Sequence, residues 1–299
     1  MRVSTFPTLY GERAVIRLFA AEGRFLYPED LGLPEDIHAG LLGKLEETSG
    51  VLLVTGPAGS GKTTTAYAAL RHLTRLAAGS KSLVSLEDPI EVALPGVAQS
   101  QVNVAAGFDL AAGLRSLMRQ DPEVILVGEI RDRPAAESAF QAALTGHLVL
   151  TTFHASNCTS ALSRLADMGI EPYLLRSGIR GVLSQRLVRK LCACSQPIER
   201  AEQRLGLPVS QGRVAGKCEG CSFTGYSGRL VLAELLPPLE GELASVVLNR
   251  RDSQSMFSAA VGAGLIPLFT RACHAVESGQ TDPAEIRRVL GFENPRPGA

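Results

Sequence analysis

The chain has 299 residues, 45% of them hydrophobic, which is enough for one large or two modest domains and excludes a disordered chain. Thirty Lys and Arg residues balance thirty Asp and Glu residues, so no net charge draws the whole chain to nucleic acid or anionic lipid. Trp is absent and aromatic residues make up only 5%, which disfavours base-stacking surfaces, and no apolar run approaches the roughly 20 residues of a membrane span.

The first predicted element is a β-hairpin between residues 2 and 19, with apolar positions alternating loosely around Gly11 and Glu12. A lone hairpin is marginally stable in water, so these strands are expected to pack on the next domain or to belong to a larger sheet. Residues 20 to 34 are rich in Gly, Pro and charge and are predicted to form a linker. The first ten residues lack the apolar stretch of a signal peptide, so a cytoplasmic location is expected.

Four short and almost wholly apolar runs predict buried strands, namely Val51 to Thr55, Ser82 to Leu86, Val124 to Gly128 and Leu148 to Phe153. Helix-like stretches separate these runs, which is typical of an α/β fold whose mainly parallel sheet is covered on both faces. Beyond Pro172 few strands are expected. A helix is predicted from Leu174 to Leu191, and two or three more helices after Pro238.

A glycine-rich loop lies between the first of these strands and the helix that follows it, as a P-loop requires. Its glycines let successive backbone N–H groups point at phosphates, Lys62 supplies a mobile cation, and the hydroxyl of Thr63 can bind Mg²⁺. The alternative is a strand-helix turn that binds nothing. The predicted phosphate-binding residues are Gly56, Pro57, Ala58, Gly59, Ser60, Gly61, Lys62, Thr63 and Thr64.

Polar residues directly follow three of the predicted strands. Glu87 and Asp88 follow the second strand, Glu129 the third and His154 the fourth. In an open parallel sheet the ligand lies beyond the carboxyl ends of the strands, where a carboxylate can hold Mg²⁺ through water or orient the attacking water. The alternative is that strand ends are polar because they meet solvent. His147 begins the fourth strand at its opposite end, and it is predicted to be a structural or interface residue.

Five positive charges without an intervening acidic residue lie on the predicted helix at Arg176, Arg180, Arg186, Arg189 and Lys190. The usual explanation is a solvated or subunit-facing helix. Contact with an anionic membrane or a partner is the alternative. Nucleic acid is not expected as a partner, because the chain has no other basic cluster.

Two close cysteine pairs, Cys192 with Cys194 and Cys218 with Cys221, flank a loop in the manner of a tetrahedral structural Zn²⁺ site. The alternative is four buried or free thiols. The remaining cysteines, Cys158 and Cys273, have no neighbour in sequence and are predicted to be small core residues.

Together these motifs resemble those of the ATPases that drive type II secretion and type IV pilus assembly, most closely the general secretion pathway protein E branch. Residues 85–91 (SLEDPIE) resemble the family's Asp box, which Gln99 and the QVN of residues 101–103 continue. Residues 117–132 (LMRQDPEVILVGEIRD) resemble its Walker B segment. Residues 145–154 (TGHLVLTTFH) resemble its His box, and the similarity covers almost the whole chain.

The resemblance implies a hexameric ring of RecA-like P-loop ATPase domains with ATP and Mg²⁺ at sites between subunits. Glu129 would be the base or water-orienting residue, Glu87 a metal-side carboxylate and His154 a sensor of the γ-phosphate. The family also places arginines around the phosphates, and each of these could instead form an ordinary surface salt bridge. The matching positions are Arg2, Arg17, Arg115, Arg119, Arg131 and Arg229.

The four-cysteine element resembles that of secretion and pilus-assembly members of the family and is absent from typical retraction members. This sequence departs from the family at the first pair, which is spaced by one residue instead of two. The resemblance divides the chain into a residual hairpin and linker (1–27), a RecA-like core (28–191), a four-cysteine element (192–229) and a helical region (230–299). Family members carry further domains before the hairpin, and these are expected to be missing here.

The function predicted from this resemblance is an ATP-hydrolysing motor subunit that powers type II protein secretion or type IV pilus assembly. Its expected partners are further copies of itself and an inner-membrane platform or docking protein, through which it would associate peripherally with the membrane. One alternative is a nucleotide-binding scaffold or truncated paralogue with little turnover. A retraction motor and a nucleic-acid translocase are further alternatives, disfavoured by the cysteines and by the neutral charge.

Overall fold

The structure is a computed structural model that describes residues 2–17 and 25–292, without the side chains of Arg2 and Arg17. The strands are β1 (Arg2–Thr8), β2 (Gly11–Arg17), β3 (Gly50–Thr55), β4 (Leu83–Glu87), β5 (Ala98–Gln101), β6 (Val124–Glu129), β7 (Leu148–Phe153), β8 (Ile179–Leu191), β9 (Gln196–Pro197), β10 (Arg213–Val214) and β11 (Tyr226–Leu235). The helices are α1 (Glu35–Leu45), α2 (Lys62–Ala77), α3 (Leu110–Leu117), α4 (Arg133–Leu144), α5 (Cys158–Asp167), α6 (Pro172–Gly178), α7 (Gly241–Leu248), α8 (Ser253–Gly262), α9 (Leu268–Glu277) and α10 (Pro283–Leu290).

Seven strands form the central sheet in the order β11-β8-β3-β7-β6-β4-β5. Every neighbouring pair is parallel except β11 with β8, which is antiparallel. The predicted α/β fold with a mainly parallel sheet is therefore confirmed. Because β3, β4, β6 and β7 are parallel neighbours, their carboxyl ends meet along one edge of the sheet, which is where the functional side chains were predicted.

Alternate residues of each buried strand face opposite sides of the sheet. On one face, Leu53 and Val127 pack with helices α4, α5, α7 and α8 in one hydrophobic cluster. On the other face, Leu52 and Leu126 pack with α1 and α2 in a second cluster. This arrangement explains why the strands are apolar along their whole length, since both of their faces are covered.

The predicted helix from Leu174 to Leu191 is wrong. Helix α6 ends at Gly178, and the chain then forms β8, the longest strand in the described part of the chain. Four of the five basic residues that were predicted on that helix thus lie on a strand; Arg176 alone is helical. Hydrogen bonding to β3 on one side and β11 on the other stabilises the extended conformation, and such pairing overrides local helical preference.

The C-terminal part also differs from its prediction. Strand β11 joins the central sheet, and four helices rather than two or three follow it in the part of the chain described, up to residue 292. Helices α9 and α10 pack on the outer end of β8 and β11 through a third apolar cluster that contains Val188, Leu232 and Ile286. This packing places α10 beside the strand that borders the P-loop.

The predicted hairpin is confirmed as β1 paired with β2, with Val3 opposite Ile16 in the register. Its apolar side chains, including Phe6 and Val15, are exposed. Most of the predicted linker at residues 20 to 34 either lies outside the described residues or forms the short 3-10 turn Pro28–Leu31. Within the two described ranges, no helix has the length and apolar character needed to span a membrane.

Candidate functional site

The P-loop connects the end of β3 at Thr55 to the start of α2 at Lys62. Gly59 and Gly61 adopt positive φ angles of 75° and 91°, which residues other than glycine rarely adopt. The Lys62 ammonium donates hydrogen bonds to the carbonyl oxygens of Gly56 (2.9 Å) and Pro57 (3.0 Å). Burial lowers the pKa of Lys62, although Glu129 opposes this shift. The loop thus has the backbone shape and the cation that phosphate binding requires.

A cavity of about 680 Å³ opens beside this loop at the carboxyl edge of the sheet. It brings together residues that are far apart in the sequence but were predicted to act at one site. The predicted residues that line it are Ala58, Gly59, Gly61, Lys62, Thr63, Thr64, Glu87, Glu129, Arg131 and His154. Asp88 and Tyr67 also line it. A cavity of this size falls within the range of small-molecule and nucleotide sites.

Glu129 is the last residue of β6, and both of its carboxylate oxygens are engaged. Oε1 lies 2.7 Å from Nε2 of His154, and Oε2 accepts a hydrogen bond of 2.6 Å from Nε of Arg131. Nη1 of Arg131 also lies 3.8 Å from Oδ2 of Asp88. The hydrogen bond to Glu129 is the main reason why the pKa of Arg131 is raised. The Thr152 hydroxyl donates to the carbonyl oxygen of Gly128 and fixes the backbone just before Glu129. A carboxylate, an imidazole and a guanidinium therefore face the P-loop as one hydrogen-bonded group.

Glu87 ends β4 and is 3% exposed. Its Oε1 accepts hydrogen bonds from Ser85 (2.6 Å) and Gln99 (3.1 Å), and its Oε2 accepts one from the Tyr67 hydroxyl. Burial, followed by the hydrogen bond to Glu87, raises the pKa of Tyr67. Protein donors already occupy both oxygens of the Glu87 carboxylate. To act on the metal side of the site, Glu87 must give up one of these hydrogen bonds for a contact with the metal or its water.

The other predicted arginines whose side chains the structure describes, Arg115, Arg119 and Arg229, do not line this cavity. Arg115 lies on α3, Arg119 lies two residues beyond the end of this helix, and both are exposed. The Arg119 guanidinium donates a hydrogen bond to the carbonyl oxygen of Arg115. Neither lines the cavity in the described part of the chain. Arg2 and Arg17 are paired across the hairpin, but their side chains lie outside the described residues. Arg229 on β11 lines a second cavity.

This second cavity, of about 510 Å³, lies against the P-loop residues Pro57 to Ser60. Four arginines line it, namely Arg186, Arg189, Arg229 and Arg288. The carboxylate of Glu285 on α10, which is fully buried, accepts hydrogen bonds from both Arg189 and Arg288. Arg189 in turn lies 3.8 Å from the centroid of the Tyr226 ring. The basic residues that were predicted to be solvated or to face another subunit thus include two that line a cavity next to the P-loop.

The four predicted zinc ligands lie close together. Their sulfur atoms all lie within 4.8 Å of one another, and the Sγ distances include 3.6 Å (Cys218 to Cys221), 3.8 Å (Cys192 to Cys218) and 3.9 Å (Cys194 to Cys221). A tetrahedral Zn²⁺ with Zn–S bonds of about 2.3 Å requires sulfur atoms about 3.8 Å apart. The donor set and its spacing therefore fit structural zinc, and the one-residue spacing of the first pair does not prevent the four sulfurs from converging.

Cys158 and Cys273 are both buried, as predicted. Nδ1 of His147 donates a hydrogen bond to the carbonyl oxygen of Ala142 (2.8 Å) and lies 3.2 Å from the Thr145 hydroxyl, at the edge of the sheet opposite His154. This environment agrees with a structural role for His147.

Sequence reasoning missed Gln185, Glu285 and Arg288, all of which contact the P-loop region or the arginines beside it. The helical interpretation of residues 174–191 gave no reason to place Gln185 or the basic residues beside it next to the P-loop. From Leu187 to Leu191 two apolar residues are followed by two basic residues and a leucine, so no alternation of apolar and polar residues signalled a strand there. No local signal marks Glu285, because its partner Arg189 is 96 residues away.

Comparison with known proteins extends these observations. A model of the family described as "Type II/IV secretion system protein" matches residues 1–288. The type II secretion system protein HxcR of Pseudomonas aeruginosa is 44% identical over 289 residues, which cover 97% of this chain and 59% of HxcR. The type IV pilus assembly ATPase PilB of Thermus thermophilus is 42% identical over 297 residues, covering 96% of this chain and 33% of PilB. The chain thus spans about 59% of the length of relatives such as HxcR.

Two solved structures share the fold. The ATPase DotB of Legionella pneumophila matches with a TM-score of 0.69 at 21% identity, covering 96% of this chain and 71% of DotB. The pilus retraction motor PilT, solved with bound ADP, matches with a TM-score of 0.58 at 25% identity, covering 95% of this chain and 75% of PilT.

Proposed function

The chain belongs to the family of type II/IV secretion system proteins, and on this premise we propose that it is an ATP-hydrolysing motor subunit of type II protein secretion or type IV pilus assembly. The observation that carries the proposal is the arrangement of Lys62, Glu129 and His154 around one cavity at the carboxyl edge of the sheet. Nucleotide binding alone requires only the loop and its lysine. Hydrolysis also requires a group that orients or deprotonates water, and Glu129 is placed to do this.

The substrate is ATP, bound through its phosphates. The backbone N–H groups of the P-loop and the N-terminus of α2 attract the phosphates, and Lys62 adds a charge that burial has partly stripped of water. Thr63 would hold Mg²⁺, with Glu87 as a carboxylate on the metal side. When bound there, Mg²⁺ would neutralise part of the negative charge that develops during phosphoryl transfer.

Glu129 accepts the proton of the attacking water or orients that water. Its carboxylate is held between His154 and Arg131, so it has a fixed direction before the nucleotide arrives. His154 would sense the γ-phosphate, because any movement of Glu129 toward the phosphate changes the contact between Glu129 and His154. Arg131 is hydrogen-bonded to the carboxylate of Glu129, and it would carry positive charge toward the transferred phosphoryl group. Arg17, Arg115, Arg119 and Arg229 are proposed to complete the site in the assembled protein.

Cys192, Cys194, Cys218 and Cys221 would bind a structural Zn²⁺. Zinc would hold together a part of the chain that has little regular structure, since only the short strands β9 and β10 and two 3-10 turns lie between β8 and β11. The N–H group of Gly225 donates to the Cys221 sulfur, and this hydrogen bond leads directly into β11.

The proposed assembly is a homo-oligomer, a hexamer, that docks on an inner-membrane platform protein from the cytoplasmic side. Support comes from the relatives, which include type II secretion system proteins and a pilus assembly ATPase. Support also comes from Arg115 and Arg119, which are exposed and lie away from the cavity of their own chain. Such arginines can reach a nucleotide only in a neighbouring subunit or after a rearrangement.

The test is the steady-state ATPase rate as a function of protein concentration, with the mass of the assembly measured on the same samples. Turnover that rises more steeply than the protein concentration, together with hexamers, is the expected result. Monomers that bind ATP without hydrolysing it would contradict a motor and favour the nucleotide-binding scaffold. Stimulation of turnover by DNA would favour a nucleic-acid translocase.

A further inference from the structure

Strand β8 passes directly beneath the P-loop. Thr55, the last residue of β3, is paired with Ser184 of β8, so Gln185 is the first residue of β8 beyond the end of β3. Its side chain is 2% exposed. Its backbone carbonyl oxygen lies 2.5 Å from the position that a Cβ atom at Gly56 would occupy, and its Nε2 lies 3.0 Å from that of Gly61. The loop therefore rests on Gln185 with no room for a side chain at Gly56.

One end of the Gln185 amide is hydrogen-bonded to the P-loop and the other to the first turn of α2. Nε2 donates to the carbonyl oxygen of Ser60 at 2.7 Å, and Oε1 accepts from the Thr65 hydroxyl at 2.9 Å. A carbonyl oxygen can only accept, so the amide nitrogen must face Ser60 and the amide oxygen is left for Thr65. One side chain thus connects the P-loop to the first turn of α2.

The contact with Ser60 determines where the next N–H group points. In a trans peptide the C=O group and the following N–H group point in opposite directions. When the Ser60 carbonyl is held against β8, the N–H group of Gly61 is turned away from β8, and Gly61 lines the cavity beside the P-loop. The contact with Thr65 fixes the N-terminal turn of α2, whose N–H groups attract anions.

We propose that Gln185 is a positioning residue for nucleotide binding, which holds the P-loop in the shape that presents its N–H groups to the phosphates. This inference rests on the proposed function of the same site. Gln185 does not reach the cavity itself, so it acts through Ser60 and Thr65. A residue of this kind affects nucleotide affinity and leaves the chemical step intact once the site is filled.

The test compares Gln185→Met with the wild-type protein as assembled in solution. Methionine keeps the length of the side chain and removes both hydrogen bonds. The expected result is an increase of about tenfold or more in the Kd for ADP and in the KM for ATP, with kcat at saturating ATP within about twofold of wild type. A matched control is Ser184→Ala, the neighbouring residue on β8, whose buried hydroxyl has no hydrogen-bond partner among the described residues. Ser184→Ala should leave the Kd for ADP and the KM for ATP unchanged.

A second pair of variants covers the case in which Gln185→Met does not fold. Thr65→Val removes one of the two hydrogen bonds with little change of shape, whereas Thr65→Ser keeps the hydroxyl. We expect weaker ADP binding in Thr65→Val and near wild-type binding in Thr65→Ser. Folded Gln185→Met or Thr65→Val protein with wild-type ADP affinity would overturn the inference. Wild-type protein that fails to bind ADP would instead contradict the proposed function.

Discussion

The carboxylate of Glu129 lies 2.7 Å from the imidazole of His154, although one residue ends β6 and the other follows β7. The parallel pairing of these two strands produces the contact, because it brings their carboxyl ends side by side. The same pairing directs both side chains toward the cavity beside the P-loop. The sheet thus builds the part of the site that is proposed to activate water.

Replacing Glu129 with Gln should abolish turnover and spare nucleotide binding. The amide keeps the shape of the side chain but can neither accept a proton nor keep its ionic contact with Arg131, so kcat should fall by about 100-fold or more. Steady-state ATPase assays and ADP titrations measure the two effects separately. Glu137→Gln, which changes a carboxylate paired with Arg133 on the exposed face of α4, is a matched control and should retain activity. Substantial residual hydrolysis in Glu129→Gln would place the catalytic role elsewhere.

Replacing Lys62 with Ala should weaken nucleotide binding. A charged hydrogen bond contributes about 1.5 to 3 kcal/mol, so we expect the Kd for ADP to rise by roughly 10- to 100-fold. The exposed Lys81 offers a control of equal charge, and Lys81→Ala should bind ADP as the wild-type protein does. Unchanged ADP affinity in Lys62→Ala would refute the assignment of the P-loop.

Purified protein should contain about one zinc ion per chain, since the four sulfurs converge at the spacing of a tetrahedral site. Replacing Cys194 with Ser should lower the zinc content and the Tm, because a ligand is lost. Cys273→Ala should keep the metal, as Cys273 is buried in another cluster. Metal analysis and thermal denaturation provide the measurements. Less than about half an equivalent of zinc with all four thiols intact would count against the site.

Glu285 should make the stability of the C-terminal region depend on pH. Burial alone would raise its pKa, but hydrogen bonds from Arg288 and Arg189 outweigh burial and lower the pKa from 4.5 to about 2. Because the folded-state pKa is depressed, the stabilisation is complete above about pH 4.5 and is lost as the pH falls toward 2. We expect Glu285→Gln to reduce the free energy of unfolding at pH 7 by about 2 to 3 kcal/mol.

This difference between Glu285→Gln and wild type should shrink as the pH falls from 4.5 toward 2, because the unfolded chain protonates Glu285 first while the folded protein keeps it ionised down to about pH 2. Denaturant unfolding at pH 7, 4 and 3 measures it. Glu242→Gln is a control, because Glu242 is exposed on α7. A difference that stays constant across this pH range would show that the charge of Glu285 does not stabilise the fold.

Local sequence determined the parts of the site whose residues are adjacent in the chain. The loop from Gly56 to Thr63 needs only a strand before it and a helix after it. The six-residue strand is visible as an apolar run, and the sixteen-residue helix from apolar residues that recur on one of its faces. The strands β6 and β7 were predicted within one residue of their observed ends, so Glu129 and His154 were placed correctly at the edge of the sheet. The two cysteine pairs were likewise recognisable from their spacing.

Only the tertiary structure decided the role of β8 and of the residues that contact it. The run from Ile179 to Leu191 is apolar enough for either a helix or a strand, and hydrogen bonding to β3 and β11 selects the strand. Once β8 is extended, Gln185 reaches Ser60 and Thr65, and Arg189 reaches Glu285. These partners lie about a hundred residues apart in the chain. Periodicity within a short window carries no information about contacts at that separation, because they depend on which strands become neighbours in the sheet.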